Sequence, residues 1–316
     1  MIDRILLNAR IHTLNPAQPT ATALAIWRGR IVAVGADDAI RVLAGPRTAI
    51  DDAEGRAVIP GLTDAHIHWE SVARSLHSVD LFEVPSKEEA LRRVAARARQ
   101  MPPGEWIVGR GWTQVVWPDA AFPTAADLDA VAPDHPVYLG AKSGHAAWVN
   151  SLALRRAGIG VSTPDPAGGA LVRDAGGVPT GLLLEDPAMT LVARHIPRPR
   201  PEQVAEWMAE AQRQAWAAGL TGLHDYDNPS CLVALQILRE RGDLGLRVVK
   251  QINDPWIEHA RELGIRSGFG DEWLRIGAVK MFADGALGPR TAHMIAPYEG
   301  EPDNVGLAVT DKEAMF

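Results

Sequence analysis

VIPGLTDAHIHWE, residues 58–70, is where the character of this sequence changes. An apolar run punctuated by Pro60 and Gly61 leads into His66 and His68, two histidines separated by one residue. Residues two apart in an extended strand face the same side, so both imidazoles can be offered to one ion. Neutral imidazole is a good zinc ligand. A His-x-His alone is unspecific, and two ordinary loop histidines are the competing explanation. The setting favours a metal, because α/β barrels put their sites at the C-terminal ends of strands.

On the N-terminal side, residues 1–58 read as a small all-β unit of short strands and turns. Arg28-Gly29-Arg30 is the hairpin turn between two apolar runs. On the C-terminal side, residues 86–200 read as an inserted α+β subdomain without a fixed-period repeat. Ser86 followed by Glu89 predicts a capping box, with Ala90, Leu91, Val94 and Ala95 on one helical face. EWIVGRGW and HPVYLGAKSGH read as strands, and STPDPAGG as a turn region.

From Pro201 the pattern becomes regular. Val204, Trp207, Met208, Ala211 and Ala215 form one helical face that ends at Gly219. Strand LTGLHD, helix CLVALQILRER, strand LGLRVVKQIN, helix PWIEHAREL and strand LRIGAVK follow in turn. Such alternation implies a parallel sheet with crossover helices. With the strand before His66, residues 59–85 and 201–316 supply about four barrel-type strands, where a complete (β/α)₈ barrel needs eight. The expected fold class is therefore α/β, a partial barrel beside an N-terminal β portion and an α+β insertion.

Composition narrows the function. Hydrophobic residues at 47% and charged residues at 22% match an ordinary globular balance and exclude disorder or a fibrous repeat. A formal charge of -7 argues against a nucleic-acid partner and leaves a small-molecule substrate as the expected one. Cys231 is the only cysteine, so no intramolecular disulfide is possible. The N-terminus lacks a signal-peptide pattern and no run reaches membrane-span length, which makes cytoplasmic the expected location.

Several segments carry a resemblance when read in order: VIPGLTDAHIH, WIVGRGWTQVVWP, PTAADLDAVAPDHPVYL, SGHAAWVNSLAL, STPDPAGG with PTGLLLE, GLTGLHD, and VKMFADGALGPRTA. Together they resemble the amidohydrolase superfamily, and within it the family 3 amidohydrolases that include N-substituted formamide deformylases. The resemblance covers nearly the whole chain. It implies a (β/α)₈ barrel with a small β-sandwich at its side. It also implies a divalent metal, zinc in the first instance and one or two ions, that activates water to hydrolyse a C–N bond in an amide-like or formamide-like substrate.

By the same resemblance His66 and His68 match the first-strand metal ligands. Lys280 matches a fourth-strand lysine that is carboxylated in many relatives and bridges two metals. A lysine inside an apolar strand is costly to keep charged, and a neutral amine can take up CO₂. The alternative is a lysine that snorkels or pairs with Asp284. Asp284 shares strand parity with Lys280, but its Asp-Gly pair reads as a turn. His224 ends the second barrel strand and either faces the pocket or is a buried hydrogen-bonded histidine. His145 lies in the inserted region, where the resemblance suggests a place near substrate and a loop histidine is the plain alternative. Trp112, Trp117 and Trp148 either line an apolar pocket or serve as core.

The superfamily pattern also asks for histidines from the fifth and sixth strands and an aspartate from the eighth. The sequence ends at DKEAMF before any of them, and His259 and His293 stand in other contexts. No catalytic base is identifiable. The expectation is a fragment, or a chain completed by a separately encoded C-terminal half or by a homo-oligomer. A non-catalytic remnant or one half of a split assembly is the alternative, and a non-metal binding protein the third reading.

Overall fold

The hairpin at Arg28-Gly29 forms as its sequence requires. Strands Ala23–Trp27 and Arg30–Gly35 pair antiparallel with Trp27 opposite Arg30. Both loop residues take positive φ, 48° at Arg28 and 74° at Gly29, the handedness that follows the twist of the strands. The structure is a computed structural model that describes residues 2–287, 290–310 and 313. Gly288 and Pro289 of the ALGPRTA motif, and DKEAMF apart from Glu313, lie outside the described residues.

The described residues fall into two units. The first comprises residues up to Asp64 together with Trp216–Gly222. It contains a four-stranded sheet in the order Arg30–Gly35, Ala23–Trp27, Arg4–Leu7, Ala49–Asp52, and a three-stranded sheet in the order Thr20–Ala21, Arg10–His12, Ala57–Val58. Alternation places Ile5 and Leu7 in a core with Ala23, Ala25 and Ile40. This portion is not purely β, because Asp37–Arg41 is a short helix with Asp37 and Asp38 in its first turn, where acidic side chains favour a helix start. Gly61 has a steric role: a Cβ there would stand 2.1 Å from Thr221 Oγ1.

The second unit comprises Ala65–Ala215 and the residues from Leu223 onward. Its six-stranded sheet has the order Ala170–Arg173, Pro179–Leu184, Ala146–Val149, Val137–Ala141, Ile107–Trp112, Val79–Asp80. Trp112, Trp117 and Trp148 are buried together, with centroids 6.1 to 6.3 Å apart. The indole N–H of Trp112 donates to the Leu139 carbonyl at 2.8 Å and that of Trp148 to the Thr124 carbonyl at 2.7 Å. Buried indole N–H groups usually find such partners, but that of Trp117 has none.

The capping box expected at Ser86 is half formed. Ser86 accepts from the Glu89 N–H at 3.2 Å and caps helix Lys87–Ala98. The Glu89 carboxylate bonds Arg92 and Arg93 instead of the backbone, and those guanidinium donors hold its pKa down to about 2. Two charged donors one turn away outcompete one neutral N–H. The complete box occurs at Thr124 and Asp127.

A further four-stranded sheet carries Leu62–Ile67, Leu220–Asp225, Arg247–Asn253 and Leu274–Lys280, neighbours in chain order. The last two are parallel. Helices Pro201–Ala217 and Pro229–Arg241 precede the second and third of these strands. PWIEHAREL gives only a 3-10 turn at Asp254–Trp256 and a short helix Ile257–Glu262. Asp284 is not a turn residue: it makes an isolated antiparallel bridge with Ala308, and Gly285 is needed because a Cβ there would meet Thr291 Oγ1 at 2.3 Å. No helix among the described residues is long and apolar enough to cross a membrane.

Candidate metal centre

His66 sits near the end of strand Leu62–Ile67, and His68 follows it as the residue that caps helix Trp69–Ser75. Their ring centroids are 5.7 Å apart in an edge-on arrangement. Tyr226, just past the second strand of the same sheet, stacks on His66 with centroids 4.0 Å apart and planes 9° from parallel. Lys280 Nζ stands 5.8 Å from the centroid of that Tyr226 ring and 4.3 Å from that of Phe282. Tyr226 is thus a common neighbour of His66 and Lys280, which stand on the two edge strands of the sheet.

His68 adds the orientation a ligand needs. Its Nδ1 lies 3.3 Å from Oδ1 of Asp227. A carboxylate on one ring nitrogen fixes the tautomer and leaves Nε2 to meet an ion, the usual arrangement of metal-binding histidines. Zinc–nitrogen bonds of about 2.0–2.1 Å at tetrahedral angles hold two imidazole centroids about 5 Å apart, so the observed spacing fits with small side-chain movement. The residues present therefore suit a divalent ion.

Beneath the histidines lies a buried polar network. Asp225 is fully buried and Lys250 is 3% exposed, with Nζ and Oδ2 3.0 Å apart. Asp225 also accepts from the N–H groups of Trp69 at 2.8 Å and Asp227 at 3.1 Å. Lys250 donates to the carbonyl oxygens of Asp227 and Gln251. Asp227 accepts from both the N–H and the hydroxyl of Ser71. The segments that follow the first two strands are thereby tied together, which sets where His68 can point.

Ligand atoms of Asp225, Asp227 and Cys231 also lie within 4.8 Å of one another. Burial first, and then the neighbouring carboxylates, push the Cys231 thiol pKa well up, so it stays protonated. Asp225 already has an ammonium and two N–H donors. This cluster is a support for the histidine pair rather than a second metal centre.

The other expected residues fall elsewhere. His224 is half-buried within strand Leu220–Asp225. Asp284 accepts from the His293 N–H at 2.9 Å, and among the described residues no carboxylate forms an ion pair with Lys280. His145 belongs to the six-stranded part of the unit, where its Nδ1 is 2.9 Å from the Glu185 carboxylate and its carbonyl accepts from the Glu185 N–H. That carboxylate, by hydrogen bond and charge, raises the His145 pKa. Glu185 holds a left-handed φ of 65° to do this. Trp112 is core, yet with His145, Glu185, Gln114 and Phe122 it also borders a small cavity of about 260 Å³.

Sequence reasoning missed Asp225, Tyr226, Asp227 and Lys250. The signal was present: VVKQI places a lysine in an apolar strand as LRIGAVK does, and HDYD puts two carboxylates two residues apart at a strand end.

Comparison with known proteins bears on the whole arrangement. The model of the amidohydrolase family matches residues 49–315. The chain is 33% identical over 312 residues to the putative amidohydrolase YtcJ of Bacillus subtilis, covering 96% of this chain and 58% of that protein. It is 35% identical over 237 residues to the N-substituted formamide deformylase of Arthrobacter pascens, covering 74% of this chain and 42% of that one. An uncharacterized metal-dependent hydrolase from Pyrococcus furiosus superposes with a TM-score of 0.78 at 27% identity, over 99% of this chain and 63% of that structure. The chain spans about half the length of the curated relatives it matches.

Proposed function

The chain belongs to the amidohydrolase family, and from that membership we propose that it serves a metal-dependent hydrolase acting on C–N bonds of amide or formamide-like small molecules. His66 and His68 would hold the ion, with Lys280, as its amine or its carbamate, facing the same place. Bound there, a divalent metal supplies the Lewis acidity that polarises a carbonyl and acidifies water. The chain's own residues do the positioning: Asp227 orients the His68 imidazole, Tyr226 backs His66, and Asp225 with Lys250 anchors the loops beneath. The sheet of four strands in chain order is consistent with part of a (β/α)₈ barrel, and the N-terminal β portion with its accompanying sandwich.

The observation that carries this reading is the Asp227–His68 contact beside the His66–Tyr226–Lys280 cluster. Elemental analysis of the purified chain, paired with hydrolysis assays on formamide and amide substrates, tests it. Bound zinc, manganese or iron that disappears in His66→Ala and His68→Ala supports it; a metal content that ignores both substitutions ends it.

A second reading is a chain that binds metal but needs a partner, a second copy or a further segment before it turns over. Asp227, the carboxylate beside the histidines, already accepts two hydrogen bonds from Ser71 and is poorly placed to take a proton from water. Metal binding without turnover would favour this reading.

A further inference from the structure

A second cavity of the Ala65–Ala215 stretch has a different chemistry. It encloses about 720 Å³, and its walls include Arg74, Arg97, Arg110, Arg156 and Arg198 against a single carboxylate, Glu105. Arg74 is neutralised by Glu70, which it meets with two nitrogens. Among the described residues the other four guanidinium groups have no carboxylate within ion-pair distance, and Arg110 rests on the Phe82 ring instead. Nε of Arg97 is sealed from solvent and has no hydrogen-bond partner. That atom is out of reach of the cavity's contents, so Arg97, which is half-buried overall, can meet a ligand only through its terminal nitrogens.

The cavity also has an apolar side. Trp106 and Trp207 line it, and Trp207 is fixed there by stacking on His77 with centroids 4.9 Å apart. Gly104, at a φ of 86°, leaves room beside the Arg156 guanidinium that a side chain would narrow. Guanidinium groups recognise carboxylate and phosphoryl oxygens through paired N–H donors.

We propose that this cavity binds a small organic oxyanion, a carboxylate or phosphoryl group on an apolar body, with the oxygens on Arg97 and its neighbouring arginines and the body against Trp106 and Trp207. Neither His66 nor His68 is among its walls, and the proposal does not depend on the metal reading.

Calorimetric titration of the full chain with sodium benzoate and with phenyl phosphate tests the proposal. Saturable binding of either probe is expected, and the preferred one identifies the headgroup. Arg97→Gln should weaken that binding about tenfold or more, as expected for loss of a charge-assisted hydrogen bond. Arg198→Gln, at an exposed position, should weaken it by a smaller factor and leaves the proposal testable if Arg97→Gln does not fold. Absence of saturable binding of both probes at millimolar concentration overturns the proposal. So does an affinity that neither substitution changes in chains with wild-type circular dichroism.

Discussion

Nδ1 of His68 and Oδ1 of Asp227 stand 3.3 Å apart, a contact between the ends of two strands that are remote in sequence and neighbours in one sheet. The Tyr226 N–H donates to the Ile67 carbonyl at 2.9 Å just beside it, so the backbone itself sets the approach.

Removing the orienting carboxylate should weaken the site without abolishing it. Asp227→Asn is expected to lower zinc affinity by about 10- to 100-fold, the usual cost of losing such a partner, whereas His68→Ala should eliminate stoichiometric binding. Competition against a chelator of known affinity measures both. Equal affinity in wild type and Asp227→Asn would leave the orienting role without support.

The Lys250–Asp225 pair is expected to be costly to break from one side. Lys250→Met leaves a buried carboxylate without its cation, a loss of about 3–5 kcal/mol. Lys250→Met combined with Asp225→Asn should recover part of that loss. Urea unfolding of the single and double variants decides; strictly additive losses would mean that the two groups act independently.

Gly181 is expected to resist any side chain. Its φ is 91°, and an added Cβ would lie 2.3 Å from the Val149 carbonyl oxygen across the sheet. Gly181→Ala should therefore destabilise by more than about 1 kcal/mol, read as a shift of the urea midpoint at unchanged slope. Gly160→Ala, with open space around it and no positive φ, is the control and should change little.

His145 should titrate above the ordinary histidine value, since Glu185 favours its charged form. Because the folded pKa is raised, the stabilising contribution is fully present below the unfolded value of about 6.5 and is lost as pH rises through the folded value. Both side chains are exposed, so the effect belongs to the titration midpoint more than to global stability. In an NMR titration, Glu185→Gln should bring the midpoint down; a midpoint that stays put would show that the pair does not persist in solution.

Cys231 should be inert in the folded chain. It is fully buried, and its thiol pKa is raised by that burial. A thiol reagent at mildly alkaline pH is expected to modify it only after denaturant is added. Rapid modification of the native chain would contradict the packing of helix Pro229–Arg241.

Local chemistry was legible in the sequence wherever one segment decides its own conformation. Arg28-Gly29 declares its hairpin, Pro201 with its apolar spacing declares a helix, and the alternation after Arg200 declares strands separated by helices. His66 and His68 are two apart at the end of an apolar run, and that spacing together with its setting after VIPGLTDA makes them metal candidates. The Ser86 box was read only half correctly because the destination of the Glu89 carboxylate depends on which guanidinium groups reach it first.

What tertiary structure alone decided is which distant groups meet. Lys280 and His66, on the two edge strands of one sheet, both approach Tyr226, and Asp227 reaches His68 because the first two strands of that sheet, far apart in the chain, lie side by side. Periodicity reports which face a residue occupies and nothing about its partner on the next strand. His145, Glu185 and Trp112 likewise share a cavity that no spacing announces. Sequence determined the kinds of group available and the elements that carry them; packing determined their company, since a pairwise distance between separate strands is a property of the assembled sheet.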